Sequence, residues 1–411
     1  MNIAISRRHF AAGAGLTALA AGRVTGANDR VRLGVIGVGR RANLLIDQLP
    51  AAAEIVAVAD CFPRRCEEAA ARRHAQWRVY SDHRQLLDQK DVDGVIVATP
   101  DHGRVLCAIH AAQAGKDIYA EKPLSLYVEE GRVLVRAVRK YNRILQVGSQ
   151  QRSMAMNRVA CDFVRNGGLG KIDFVMGAAY SSPIPYPAEG LPVDQMPEGL
   201  NWDVWIGQSP MRPFNSDMFL HWMKWFEYSG REMTDWGAHG LDQVQSALGM
   251  DHTGPAEFWP LSEGPRGKLA FRYANGVTVR LELPEGQING GAMFVGAKGR
   301  VELWRNDFRT DPPDLIKDLP PKEEVVKWNR AQYQAEYHMQ DWLECMRSRK
   351  LPLADVEIGH RTVSVCHLAN LTRQLNRKLQ WDPEAERFRN DPDANQHLAR
   401  PRREGYELPV V

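Results

Sequence analysis

The strongest constraint on the fold is one junction near the start of the chain. The apolar run Val31 to Ile36 breaks into Gly37-Val38-Gly39-Arg40-Arg41-Ala42, and Asn43-Leu44-Leu45-Ile46 with Leu49 then follow at helical spacing. Strand, glycine turn and helix in that order make a cradle for a diphosphate. Gly37 permits the tight turn, Gly39 lets the backbone approach a ligand with no Cβ in the way, and Ala42 is small enough for the helix to pack on the strand. The diphosphate would rest on the N–H groups that open the helix, flanked by Arg40 and Arg41. A second strand, Glu54 to Ala59, ends in Asp60, at the distance where an acidic side chain meets the ribose of a dinucleotide. A carboxylate there accepts from a 2'-hydroxyl and repels a 2'-phosphate, so NAD is expected over NADP; Arg64 and Arg65 soften that preference.

The alternation continues. Helices are expected over 63–74, 81–88, 102–114 and 125–140, with strands near Val79 and over 94–98, 117–120 and 144–147. Strands alternating with helices imply a parallel sheet, a doubly wound α/β domain over 31–150. Ligands bind such sheets beyond the carboxyl ends of the strands, which puts Thr99, Pro100, Asp101 and His102 in the cofactor crevice. The pattern then changes to period two: a strand over 172–178, a hairpin joining 269–273 to 277–283 through Asn275-Gly276, and another joining 293–295 to 301–304 through Ala297-Lys298-Gly299. An open-faced, mostly antiparallel α+β domain is therefore expected over 151–380, with 381–411 as a tail. At 411 residues the chain exceeds what one core usually holds. Two apolar stripes, Met339, Trp342, Leu343, Met346 and Ile358, Thr362, Val365, Ala369, Thr372, mark late helices that pack back on the body.

Composition removes several classes of function. A net charge of +3 over this length supplies no continuous basic surface for a nucleic acid. The six cysteines form no C-x-x-C pair, and there is no H-E-x-x-H or clustered His/Cys ligand set, so no metal is expected. The first thirty residues read as an address. Ser6-Arg7-Arg8-His9-Phe10 precedes an Ala/Gly/Leu run to Ala21, about a dozen residues where roughly 20 would be needed to span a bilayer. The pattern resembles a twin-arginine signal, with cleavage between Ala21 and Ala27 and a periplasmic or otherwise exported product.

"GVGRRA", "ATPDH" and "AEKP", in this order and spacing, resemble the Gfo/Idh/MocA family, that of glucose-fructose oxidoreductase and inositol dehydrogenase. Val147-Gly148-Ser149-Gln150-Gln151-Arg152 and "TDWGAHGLD" (Thr234 to Asp242) reinforce the resemblance, which extends from residue 31 to about 380. It implies a Rossmann domain followed by an open-sheet domain, NAD(P) held in the first, and a sugar or polyol between the two. Lys122, Asp235 and His239 fall on the family's catalytic positions, and Glu121, Lys122 and Gln151 join the cofactor-binding set. Four positions depart from the signal-bearing relatives: Gly103 and Arg104 replace an aromatic and a histidine, Gly240 replaces a second histidine, and Glu232 replaces a lysine. Substrate choice is what these departures put in question. Open sheet faces in this family often pair, so a dimer or tetramer is expected.

Asp235 and His239 are four apart, one face of a helix, where the carboxylate would orient the imidazole. Removing a hydride from a carbinol requires a base; His239 suits at its ordinary pKa, whereas Lys122 needs its pKa lowered, and both remain candidates. Trp202, Trp205, Trp222, Trp225 and Trp236 crowd the segment 201–236, either as a small core or as flat faces for a sugar ring. One expected arrangement packs Trp202 and Trp205 and turns Trp222, Trp225 or Tyr228 to the cleft. An exported enzyme has no obvious nicotinamide pool outside, so the cofactor should stay bound. The leading expectation is an NAD(P)-dependent sugar oxidoreductase. The alternatives are a redox-neutral glycosidase, with Tyr180, Tyr186 or Tyr228 as the additional base, and a binding protein without catalysis.

Overall fold

The computed structural model describes residues 30–328 and 334–411, so the expected export signal lies outside the described residues. Six strands, β1 (Val31–Ile36), β2 (Ala53–Ala59), β3 (Arg78–Tyr80), β4 (Gly94–Val97), β5 (Asp117–Ala120) and β6 (Leu145–Val147), form one sheet in the order β3-β2-β1-β4-β5-β6. Every pairing in it is parallel. The central strands are uninterrupted apolar runs because helices cover both faces; all of β4 and β5 is buried. Strand order reverses between β1 and β4, and the crevice beyond their carboxyl ends is where such a sheet takes a ligand. Gly37 and Thr99 meet there: Gly37 has φ +83°, and a Cβ on it would stand 2.8 Å from the Thr99 backbone nitrogen.

Nine strands form a second sheet: β7 (Ile172–Ala178), β8 (Glu257–Pro260), β9 (Leu269–Arg272), β10 (Thr278–Leu283), β11 (Ala292–Gly296), β12 (Gly299–Trp304), β13 (Asp307–Asp311), β14 (Leu379–Asp382) and β15 (Arg387–Phe388). Their order is β13-β12-β11-β7-β10-β9-β8-β14-β15. Only β7 and β10 run parallel; the other neighbours are antiparallel. Helices Ala155–Arg165, Trp236–Leu248 and Val356–Leu375 cover one face and bury it in a core built on Val175, Phe258, Phe271, Phe294 and Leu303. Alternate residues Arg272, Arg280 and Arg300 stand exposed on the strands.

Sequence-distant pieces tie the two halves together. Helix Glu336–Ser348 carries Met339, Trp342 and Leu343 into the core of the parallel sheet, against Leu33, Val35 and Tyr119. The long helix Val356–Leu375 is buried almost all round; Val363 packs with the first core, Cys366 and Leu368 with the second. The Trp-rich segment forms a third core of Leu200, Trp202, Trp205, Ile206, Phe214, Met218, Phe219, Trp225 and Tyr228, packed on Cys61 and Phe62 of the first domain. Asn201 N–H donates to the Cys61 carbonyl at 2.8 Å, fixing this lobe beside the crevice.

Candidate active site

A cleft of about 920 Å³ runs from the glycine turn across to the second domain. At one end lie Gly37, Val38, Gly39, Arg40, Arg41 and Asp60; at the other lie Lys122, Asp235, Trp236, His239 and Arg305. Thr99, Pro100, Asp101 and Glu121 line the middle. Phe219, Leu220, Trp222 and Met223 of the Trp-rich lobe line it as well, together with Arg65, Ala69 and Arg72.

The turn fits the dinucleotide expected of it. A Cβ on Gly39 would meet nothing within 4 Å, so its backbone faces open space. The helix that follows, Arg40–Asp47, starts without a side-chain cap and without an acidic residue in its first turn. Its first N–H groups therefore suit an anion. Asp60, at the end of β2, is buried; one carboxylate oxygen accepts from Val38 N–H at 2.7 Å and the other from Phe62 N–H at 2.9 Å. Both bonds fix the carboxylate beside the turn and leave lone pairs for a ribose hydroxyl. Arg65 stacks over Phe219 at 4.8 Å, and Arg64 pairs outward with Glu68. Arg41 turns inward to Glu121, at 2.8 Å; Gln150 donates to the same carboxylate oxygen at 3.2 Å.

Lys122 and Asp235 form an ion pair across the two domains. Asp235 precedes helix Trp236–Leu248 as its cap residue, with φ −87° and ψ −84°, so it is not one turn below His239 on a regular helix. Its carboxylate binds Lys122, and the imidazole has another neighbour: Arg305 Nη2 lies 3.3 Å from His239 Nε2. Nor does His239 keep its ordinary pKa. Burial, then the positive charges of Arg305 and Lys122, hold it well below the usual histidine value, so the ring is neutral and accepts at Nε2. Asp101 is the opposite case: burial pushes its carboxyl up to about 6 against the opposing pull of Arg104, and it accepts from Ser229 Oγ at 2.8 Å.

Several expected residues lie elsewhere. His102 is outside the cleft wall; its Nε2 meets the Trp205 carbonyl at 2.6 Å, its ring packs edge-on to Trp205 and Tyr228, and burial pushes its pKa down to about 3. Gln151 is likewise buried away from the cleft and donates to the Gly290 carbonyl at 2.6 Å; its neighbour Gln150 lines the wall instead. Of the tryptophans, Trp202 and Trp205 stack at 4.6 Å, yet Trp205 reaches the cleft along with Trp222 and Trp236. Trp225 and Tyr228 are consumed by the aromatic core. Tyr180, Tyr186 and Tyr228 are all absent from the cleft lining; Tyr180 donates to the Ile288 carbonyl and accepts from Gly290 N–H. The departure at Gly240 has a steric cause, since a Cβ there would stand 2.9 Å from the Gly291 carbonyl oxygen.

Sequence reasoning missed Arg305, Gln150, Arg72, Phe219, Leu220 and Met223, whereas Trp222 lines the cleft as expected. Arg305 and Asn306 form a two-residue hairpin between β12 and β13, where nothing in the local pattern points toward the cleft. Gln150 differs from Gln151 only in which way a short turn faces. Among the described residues no helix is long and apolar enough to cross a membrane.

Residues 31–149 match the family described as "Oxidoreductase family, NAD-binding Rossmann fold", and residues 184–408 match "Oxidoreductase family, C-terminal alpha/beta domain". The chain is 35% identical over 115 residues to levoglucosan dehydrogenase of Pseudarthrobacter phenanthrenivorans, covering 28% of this chain and 29% of that one. It is 32% identical over 167 residues to scyllo-inositol 2-dehydrogenase (NAD(+)) of Bacillus subtilis, covering 39% and 47%. The matched segments thus span less than half the length of these curated relatives. Among solved structures, the WlbA dehydrogenase of Bordetella pertussis, in complex with NADH and UDP-GlcNAcA, shares the fold with a TM-score of 0.61 at 19% identity, over 86% of this chain and 99% of that one.

Proposed function

The chain belongs to the Gfo/Idh/MocA family of oxidoreductases, and from that premise we propose that it is an NAD(H)-dependent oxidoreductase of a sugar, polyol or glycoside. One observation carries the reading: Lys122 and Asp235 pair across the domain boundary in the same cleft wall as His239, and that cleft is continuous with the Gly37–Gly39 turn. Gly39 and the opening N–H groups of helix Arg40–Asp47 would hold the diphosphate, and Asp60 the adenosine ribose. The nicotinamide, when bound, supplies a hydride acceptor. The chain's own residues then manage the proton. Neutral His239 offers Nε2 as an acceptor for a substrate hydroxyl, and Lys122, held by Asp235, offers N–H donors to the same oxygen. The carboxylate of Asp60 favours NAD over NADP.

Levoglucosan dehydrogenase and the inositol dehydrogenases support a carbohydrate substrate. Export through the twin-arginine motif at Arg7-Arg8 and a cofactor that stays bound are parts of the same proposal, as is a homo-oligomer through the open face of the second sheet. A second reading, redox-neutral glycoside cleavage, draws support from Asp101, a cleft carboxyl raised to about 6, which would serve as the additional acid or base that the three tyrosines outside the cleft lining do not provide. Release of p-nitrophenol from aryl glycosides without net NADH distinguishes it from net oxidation.

The test is a purified protein titrated with NAD(H) and assayed against a panel of sugars and polyols. Nicotinamide binding and NADH formation are expected. Lys122→Met should keep the cofactor and lose about 10²-fold or more in kcat/KM. A variant that turns over at the wild-type rate removes Lys122 from the site, and a wild type with no affinity for NAD(H) removes the whole reading.

A further inference from the structure

The substrate end of the cleft contains a feature that a neutral sugar would not need. Arg305 sits at the tip of the β12–β13 hairpin, and that tip is anchored: Asn306 is buried, its N–H donates to Asn157 Oδ1 at 2.7 Å, and its amide donates to the Val325 carbonyl at 3.2 Å. The guanidinium is aimed into the cleft wall, over the Trp236 ring at 5.6 Å from its centroid, with Nη2 3.3 Å from His239 Nε2. Arginine can only donate, so its N–H occupies the lone pair that a substrate hydroxyl would need. A hydroxyl must therefore displace Arg305 from His239 Nε2, and for a half-buried guanidinium in a cleft wall the acceptor that best replaces an imidazole nitrogen is a carboxylate.

We propose that the substrate is a sugar carrying a carboxylate, and that Arg305 binds this carboxylate, withdrawing from His239 Nε2 as the substrate's hydroxyl arrives. The inference rests on the oxidoreductase reading and adds the substrate's charge to it. Arg305 is thereby both a specificity determinant and a guard on the acceptor: uncharged sugars leave the N–H on His239, and acidic ones remove it. A planar, forked guanidinium matches a carboxylate in two hydrogen bonds, which a hydroxyl cannot offer. Trp236 lies beside the guanidinium in the same cleft wall.

The experiment compares D-glucuronate and D-galacturonate with D-glucose and D-galactose as hydride donors to NAD, in the wild type, Arg305→Met and Arg305→Lys. The wild type should favour at least one uronate over its neutral parent by about ten- to a hundredfold in kcat/KM. Arg305→Met should bring that ratio to about one, and Arg305→Lys should retain part of it. NAD(H) affinity, followed by fluorescence titration, should change by less than about threefold in either variant. Neutral sugars turned over as well as the uronates, or a preference unmoved by Arg305→Met, overturns the carboxylate assignment and leaves the oxidoreductase reading standing. Loss of NAD(H) affinity in both variants assigns Arg305 to the cofactor rather than to the substrate and also overturns it. A wild type that neither binds NAD(H) nor turns over any of the four sugars overturns both readings.

Discussion

His239 shows how much one side chain's chemistry depends on its neighbours. As an isolated histidine it would be partly protonated near neutrality; buried beside Arg305 and Lys122 it stays neutral well below that range. A step that needs the neutral ring should therefore persist in mild acid. The acidic limb of the pH profile of kcat/KM is expected below 6.5, the ordinary histidine value, and Arg305→Met should move it toward higher pH, because removing a positive neighbour makes protonation easier. An acidic limb that stays in place in Arg305→Met would dissociate the limb from His239. Lys122, Asp235 and His239 were legible in the sequence as residue types at telling positions. Their pairing was not: the four-residue spacing suggested Asp235 against His239, whereas the chain turns at Asp235 and sends its carboxylate to Lys122.

At the scale of elements, the glycine turn separates two tasks that one motif compresses. Gly37 serves the fold, with φ +83° and Thr99 backbone at 2.8 Å; Gly39 leaves open space, with nothing within 4 Å of its absent Cβ, where the proposed diphosphate would approach. Gly37→Ala should cost at least about 1–2 kcal/mol in urea unfolding, from the left-handed backbone alone. Gly39→Ala should unfold within about 0.5 kcal/mol of wild type yet bind NAD(H) about tenfold more weakly or worse. Equal stability losses in both variants would erase the distinction. The strand–turn–helix order made this element readable. The Trp-rich lobe was readable only as a mass of aromatic residues, because ring composition does not say which faces are spent on one another; the stacking of Trp202 on Trp205 and the burial of Trp225 follow from packing between segments far apart in sequence.

Across the whole molecule, the last residues act as a strap. Arg400 donates to the Glu227 carbonyl at 2.9 Å, Arg402 pairs with buried Glu130, Arg403 donates to the Gly207 carbonyl at 2.8 Å, and Leu408 packs against the first domain's core. The strap joins the parallel-sheet domain to the Trp-rich lobe that lines the cleft. Arg402→Ala leaves the Glu130 carboxylate, 2% exposed, with Arg400 3.7 Å away as its remaining cation. A loss of about 3 kcal/mol is expected in chemical denaturation, and a change under about 0.5 kcal/mol would show that Arg400 alone satisfies the carboxylate.

Local rules were enough for the alternation of strand and helix, the switch to period two and the strand–glycine turn–helix junction, because each is written within a few consecutive residues through backbone sterics and the spacing of apolar positions; the candidate catalytic side chains came from the resemblance of short motifs. Tertiary structure alone decided that Gln150 and not Gln151 faces the cleft, that His102 is spent on the Trp205 carbonyl, that helix Glu336–Ser348 completes the first core, and that Arg305 reaches His239. These are contacts between groups many residues apart. Whether such groups meet is settled by how the layers pack and which polar atoms burial leaves in need of a partner, and no short window of sequence contains that information.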